Sequence, residues 1–175
     1  HDGLHGFSWR GWFDFGCGDV GDMGCHTWDC VNWAMAPDYP TSVELVAIEG
    51  NGYPETFPKQ SHFKWEFPAK GERKAFTAHW YAGGMKPEAP SEMEGKGLAG
   101  SGSLFFGSKG ILYVQGDYGD SPRIIPEAKM KEIGLPPKKL ERSPGHHQEW
   151  IMACKGEKPY DFPKSNFSYA GPMTE

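Results

Sequence analysis

Asp22, His26, Asp29 and Trp33 follow one another at intervals of four, three and four residues. On an α-helix that spacing stacks the four side chains on one face. A carboxylate one turn before an imidazole orients the ring and stabilises its charged form. Such an imidazole suits general acid or base work on a hydroxyl, because histidine titrates near neutrality. The plain alternative is a solvated helix face. Against it, Met23, Thr27, Val31 and Ala34 supply a separate packing face, and Gly16-Cys17-Gly18 makes a turn that backbone or ligand can approach closely. Metal binding is not expected at this face, which has one His and no third ligand at a sensible spacing.

Two further clusters could touch a ligand. In Gly145-His146-His147-Gln148-Glu149-Trp150 the histidines open a predicted helix, where the dipole disfavours a charged imidazole. Neighbouring side chains diverge, so a capping or substrate-contact role for His146 fits better than a metal site. Near the start, Arg10 lies between Trp9 and Trp12. Aromatic faces and a guanidinium could hold a sugar or an acid, with aromatic packing beneath a loop as the other reading. Cys17, Cys25, Cys30 and Cys154 match no paired zinc pattern and are expected to be reduced, partly buried thiols. One disulfide, or a metal site at Cys25, His26 and Cys30, are the alternatives; the second is poor because adjacent helical residues point about 100° apart. Gly97 to Gly102 has neither a strand before it nor a helix after it, so it is no dinucleotide loop, and a nucleophile elbow is missing.

These residues need elements to position them. The helix bearing Asp22 and His26 is predicted over 19–35, with Asp19 as N-cap and Pro37 beyond its end. Period-two alternation predicts strands at 42–48, 62–67 and 74–81. Their inward sets are Val43 and Leu45, then after a slip Val46 and Ile48; Phe63, Trp65 and Phe67; and Phe76, Ala78 and Trp80. Residues 82–102 read as a long loop, and 104–106 with 111–114 as a hairpin. A short helix is predicted at 126–132, and another from Ser143 to Lys155 with Trp150, Ile151, Ala153 and Cys154 facing the core. Pro172 to Glu175 look like the opening of one more helix. The fold class expected is α+β: an open, predominantly antiparallel sheet with helices packed on one face.

The 175 residues allow one domain. Few aliphatics are present, but 7 Trp, 7 Tyr and 11 Phe replace them, and a net charge of −5 is too small to favour disorder. At pI 5.8 no clustered basic face is expected, which argues against nucleic acid, and no apolar run is long enough to span a membrane. The chain therefore reads as a soluble piece, with His1 and the closing Pro-x-Thr-Glu taken as cut ends.

The stretch from Gly16 to Asp29, with Asp22, Gly24, His26 and Asp29 in place, resembles the G-G-G-x-x-x-D-x-G-x-H-x-x-D segment of the glucose-fructose oxidoreductase and inositol dehydrogenase (Gfo/Idh/MocA) family. Trp9-Arg10, Trp80-Tyr81 followed by Gly83-Gly84, the run GHHQEWIMACKGEKP and the closing SNFSYAGPMTE are similar to one bacterial branch of it. The resemblance covers about Trp9 to Glu175, and Cys17 departs from the middle glycine. It implies that residues 1–175 are a single substrate-binding and oligomerisation domain, with an N-terminal Rossmann domain and a C-terminal tail missing. It implies NAD or NADP, bound mainly by that other domain, and a sugar or polyol substrate. Asp22 and His26 are then catalytic; Arg10, Trp12, Asp29 and His146 line the substrate side, Asp29 in a supporting role. The resemblance also implies a homo-oligomer through the sheet face. A non-catalytic carbohydrate-binding or scaffold module of the same fold, and a redox-neutral enzyme that cleaves glycosides by transient oxidation, are the alternatives. The compartment is left open between cytoplasm and periplasm.

Overall fold

A computed structural model describes residues 5–50 and 53–175. The chain forms two compact units, His1–Ile133 and Gly134–Glu175. In the first, a 3₁₀ turn at Ser8–Gly11 precedes helix α1 (Gly18–Met35). Strands β1 (Ser42–Glu49), β2 (Gln60–Phe67) and β3 (Phe76–Ala82) follow, then β4 (Gly102–Gly107), β5 (Gly110–Gln115), β6 (Arg123–Ile125) and helix α2 (Glu127–Ile133). The second unit holds α3 (His146–Cys154) and α4 (Phe167–Thr174). The architecture is mixed, with four helices and two antiparallel three-stranded sheets, β1-β2-β3 and β4-β5-β6, among the described residues. Among the described residues no helix is long and apolar enough to cross a membrane.

Alternation in β2 and β3 sorts the first sheet into two faces. Phe63 pairs with Trp80, Trp65 with Ala78 and Phe67 with Phe76 on one; His62 meets Tyr81, Lys64 meets His79 and Glu66 meets Thr77 on the other. Helix α1 covers the apolar face, where the Trp28 ring lies 5.7 Å from Trp65 and 6.0 Å from Phe67. Strand β1 shows the expected slip as a bulge between Leu45 and Ala47. Its apolar residues are not inward, however: Val43 is 63% and Leu45 52% exposed, because β1 is the outer strand and the aromatic contacts of α1 stop at β2.

The second sheet is built on the predicted hairpin, closed by Gly107 and Gly110. Met93, Ile111, Tyr113 and Ile125 form its core. Met93 comes from the long loop, which is pinned by the Ala99 N–H donating to the Tyr113 hydroxyl at 2.7 Å. Strand β6 is only three residues long and stops at Pro126, too short for periodicity to detect.

Three helix boundaries differ from expectation. Helix α1 begins one residue earlier, with Cys17 and not Asp19 at its N-cap. Helix α3 starts at His146, since the Ser143 hydroxyl accepts from the Gly145 N–H (3.0 Å) and closes a turn instead of capping. The face it buries is not the apolar one: Trp150 is 63% exposed and Glu149 is 3% exposed. The Glu149 carboxylate accepts from the Lys164 N–H at 2.9 Å, which ties α3 to the segment before α4. The neighbouring Ser143 hydroxyl and the hydrogen bond from that amide hold its pKa below the ordinary value. Finally, Asn166 caps α4 by accepting from the Tyr169 N–H (3.2 Å), so Pro172 to Thr174 lie within a helix that has already begun at Phe167 rather than opening one.

The entry to α1 depends on Gly18, which has φ 67° and whose added Cβ would stand 2.7 Å from the Phe57 ring. Gly18→Ala is expected to lower the free energy of unfolding by about 1–3 kcal/mol. Gly24→Ala in the same helix meets nothing within 4 Å and should raise it by up to ~1 kcal/mol. Urea denaturation of the two variants measures the difference; equal effects would contradict this account of the turn.

Candidate functional site

The segment before α1 is stitched to the segment before β2. The Phe13 N–H donates to the Glu55 carbonyl and the Phe57 N–H to the Gly11 carbonyl, both at 2.9 Å. Trp12 is buried there and stacks on Tyr53 at 5.2 Å, which is the packing role rather than an open sugar platform. The Gly16 N–H donates to the Trp12 carbonyl at 2.9 Å, and a Cβ on Gly16 would overlap the Arg10 backbone. What the glycine turn admits closely is therefore the chain itself. Cys17 sits in that turn at φ −116°, a conformation open to any residue.

This path delivers Arg10 to the predicted face of α1. Its Nε lies 3.5 Å from Asp22 Oδ1, and its guanidinium stands 4.6 Å from the centres of the Phe7 and Trp9 rings. Asp22 thus pairs with Arg10, and the structure gives it no hydrogen bond to His26. His26, one turn on and half-buried, meets the edge of Tyr118 at 5.4 Å. Asp29 is half-buried two turns after Asp22. His146 belongs to the second unit, exposed, with its ring 4.1 Å from that of His147. The structure therefore brings Arg10, Asp22 and His26 onto one accessible face.

The adjoining face of α1 was not singled out from the sequence as a site. Asp19, Met23, Thr27 and Val31 line a cavity of about 840 Å³ that extends along β3 and β4. At its polar end the Trp80 indole N–H donates to Asp19 Oδ2 (3.0 Å), and the Thr27 hydroxyl donates to Asp117 Oδ1 (3.3 Å), which the Ser101 hydroxyl also reaches. Partial burial raises the Asp19 pKa above its ordinary 3.8, opposed by the Trp80 hydrogen bond and reinforced by the negative charges of Asp22 and Asp117. The signal lay in the sequence as Asp19 three residues before Asp22 and Trp80 on a core-facing strand, but their meeting is a tertiary fact.

Gly97 to Gly102 leads into strand β4 and no helix, so it offers no helix N-terminus to a pyrophosphate, and these residues do not fit a dinucleotide. All four cysteines are free; Cys17, Cys25 and Cys154 are exposed rather than partly buried, and Cys30 is half-buried with its thiol 3.6 Å from the Ser103 hydroxyl. Among the described residues no group of three or more His, Cys, Asp or Glu is arranged to hold a metal ion.

Asp19 is expected to titrate above the ordinary carboxylate range in carboxyl-carbon NMR. Trp80→Phe should move it further up, and Asp117→Asn should move it down. Because the folded state takes up this proton before the unfolded state does, the contribution of Asp19 to stability rises as pH falls through its folded pKa and levels off below 3.8. A downward shift in Trp80→Phe would contradict the hydrogen bond. No protein-family model matches the chain and no curated protein does either, so the chemistry of the site rests on its geometry and on the residues themselves.

Proposed function

We propose that this chain is the substrate-binding and catalytic-assist domain of an NAD(P)-dependent oxidoreductase of the Gfo/Idh/MocA type, acting on a hydroxyl of a sugar or polyol. The observation that carries the reading is the Arg10–Asp22 pair beside His26 on one accessible helical face. In this reading the dinucleotide is held by a separate Rossmann domain, which would supply the hydride acceptor. The chain's own share is to bind and to move a proton. Arg10 has a flat, five-donor guanidinium held in place by Asp22 and by two aromatic rings, and it donates to substrate oxygens. His26 takes the proton of the reacting hydroxyl through a ring nitrogen. Asp22 acts on His26 through charge at one helical turn and on the substrate through Arg10.

The same reading makes the two small sheets parts of one open, predominantly antiparallel sheet with helices on one face. The outer face, with Lys64 and His79, is then where copies of the chain associate. A second reading, a carbohydrate-binding module without chemistry, is favoured by one fact: the carboxylate expected to orient His26 is engaged by Arg10 instead. The redox-neutral glycoside-cleaving reading uses the same face and is separated by product analysis.

In the enzyme containing this domain, His26→Ala is expected to lower kcat on a sugar or polyol by a factor on the order of 10²–10⁴, with a smaller effect on KM. An unchanged rate removes His26 from proton transfer, and saturable sugar binding without any NAD(P)-linked turnover supports the binding module. Calorimetry on the 175-residue chain should give no micromolar affinity for NAD or NADP. Tight binding there would overturn the assignment of the dinucleotide to another domain.

A further inference from the structure

Strand β2 places His62, and strand β3 places His79 and Tyr81, on the outer face of the first sheet, opposite the face that α1 covers. His62 stands directly across from Tyr81, and His79 is two residues before Tyr81, so the two histidines are diagonal neighbours within reach of each other. Their rings meet: His62 Nε2 lies 2.9 Å from His79 Nδ1. One of those nitrogens carries the proton between them and the other is bare, so at least one ring is neutral. The Tyr81 ring stacks on His62 with centres 4.1 Å apart and fixes the plane of that imidazole. On its other side His62 faces Ala47 of β1, whose side chain is a single methyl. Solvent reaches both rings, His62 being half-buried and His79 exposed.

Two imidazole nitrogens that meet across one proton are spaced like two ligands of one metal ion. Zinc–nitrogen bonds of about 2.0–2.1 Å put neighbouring nitrogens about 2.9 Å apart in an octahedral shell and about 3.3 Å apart in a tetrahedral one. The observed separation therefore opens by a few tenths of an ångström at most, and a tilt of His79, the more exposed ring, turns both lone pairs onto a common point. We infer that His62 and His79 form a two-histidine chelate for a borderline divalent transition ion such as zinc, bound through His62 Nε2 and His79 Nδ1. The ion takes the place of the shared proton, which passes to the donor ring's outer nitrogen when that ring is neutral and to solvent when it is charged. Water fills the remaining positions. Lys64, opposite His79, is paired with both Glu44 and Glu66, so the strands beside the histidines carry more negative than positive charge, as a cation requires. The inference does not depend on the oxidoreductase reading.

The test is a zinc titration of the 175-residue chain followed through the imidazole nitrogen resonances of each histidine. Resolution by residue is needed because Cys17, Cys25, Cys30 and Cys154 are free thiols that can also take up zinc. The expected result is that His62 and His79 shift together, saturably and with one affinity, through Nε2 of the first and Nδ1 of the second, while magnesium moves neither. His62→Gln should weaken zinc binding at His79, and His79→Gln at His62, by about tenfold or more, since the loss of even a supporting partner costs that much at a metal site. Amide spectra of the two zinc-free variants check that the sheet is intact. Zinc that leaves both rings unmoved, that shifts one without the other, or that binds the remaining ring of either variant as tightly as the parent pair would each overturn the inference.

Discussion

One hydrogen bond between a helix and a sheet sets the geometry of the first unit: the Trp80 indole N–H on Asp19 Oδ2 at 3.0 Å. It joins the first turn of α1 to the middle of β3, two elements 61 residues apart in the chain. The buried Trp80 indole N–H finds its acceptor in a carboxylate that stays in contact with solvent, so a donor that would otherwise be left unpaired is satisfied. With that point fixed, and Thr27 tied to Asp117, rotation of α1 about its axis is no longer free. The helix then has two defined flanks, one over the cavity and one bearing Asp22, His26 and Asp29.

The flanks divide the work. On one, Asp22 is occupied by a guanidinium that is itself stacked on two rings, so Arg10 is held at the site without being buried. The exposed ion pair contributes little to stability at such a surface. Its effect is positional, keeping a planar donor against Asp22, one helical turn before His26. On the other flank, carboxylates with hydroxyl and indole donors mark the polar end of the cavity that extends along β3 and β4. Asp19 lies between the flanks, and its pKa is raised first by partial burial and then by the charges of Asp22 and Asp117, against the Trp80 hydrogen bond.

Much of this was legible in the sequence, for local reasons. The alternation of Phe63, Trp65 and Phe67 against His62, Lys64 and Glu66 predicts β2 and its faces, and the ladder to β3 follows it. The glycines flanking Ser108 and Lys109 predict the second hairpin. The helical face of Asp22 and His26 follows from spacing alone. What spacing did not reveal is which partner each side chain finds. Asp22 has His26 four residues away and yet pairs with Arg10, twelve residues before it and brought near by the glycine turn. Asp19 looks like a cap because caps are local, but the indole that engages it comes from a distant strand. Glu149 is buried where Trp150 was expected, and its carboxylate there accepts the Lys164 N–H across the turn between α3 and α4.

The central claim is that the face bearing Arg10, Asp22 and His26 is where a polyhydroxylated ligand binds. The most direct measurement is side-chain NMR of the His26 imidazole and the Arg10 guanidinium during titration with a panel of sugars and polyols. The account predicts that at least one of them moves both sets of resonances saturably, with a single affinity. Saturable binding that shifts other residues while leaving His26 and Arg10 unmoved, or a panel that moves neither, would contradict it.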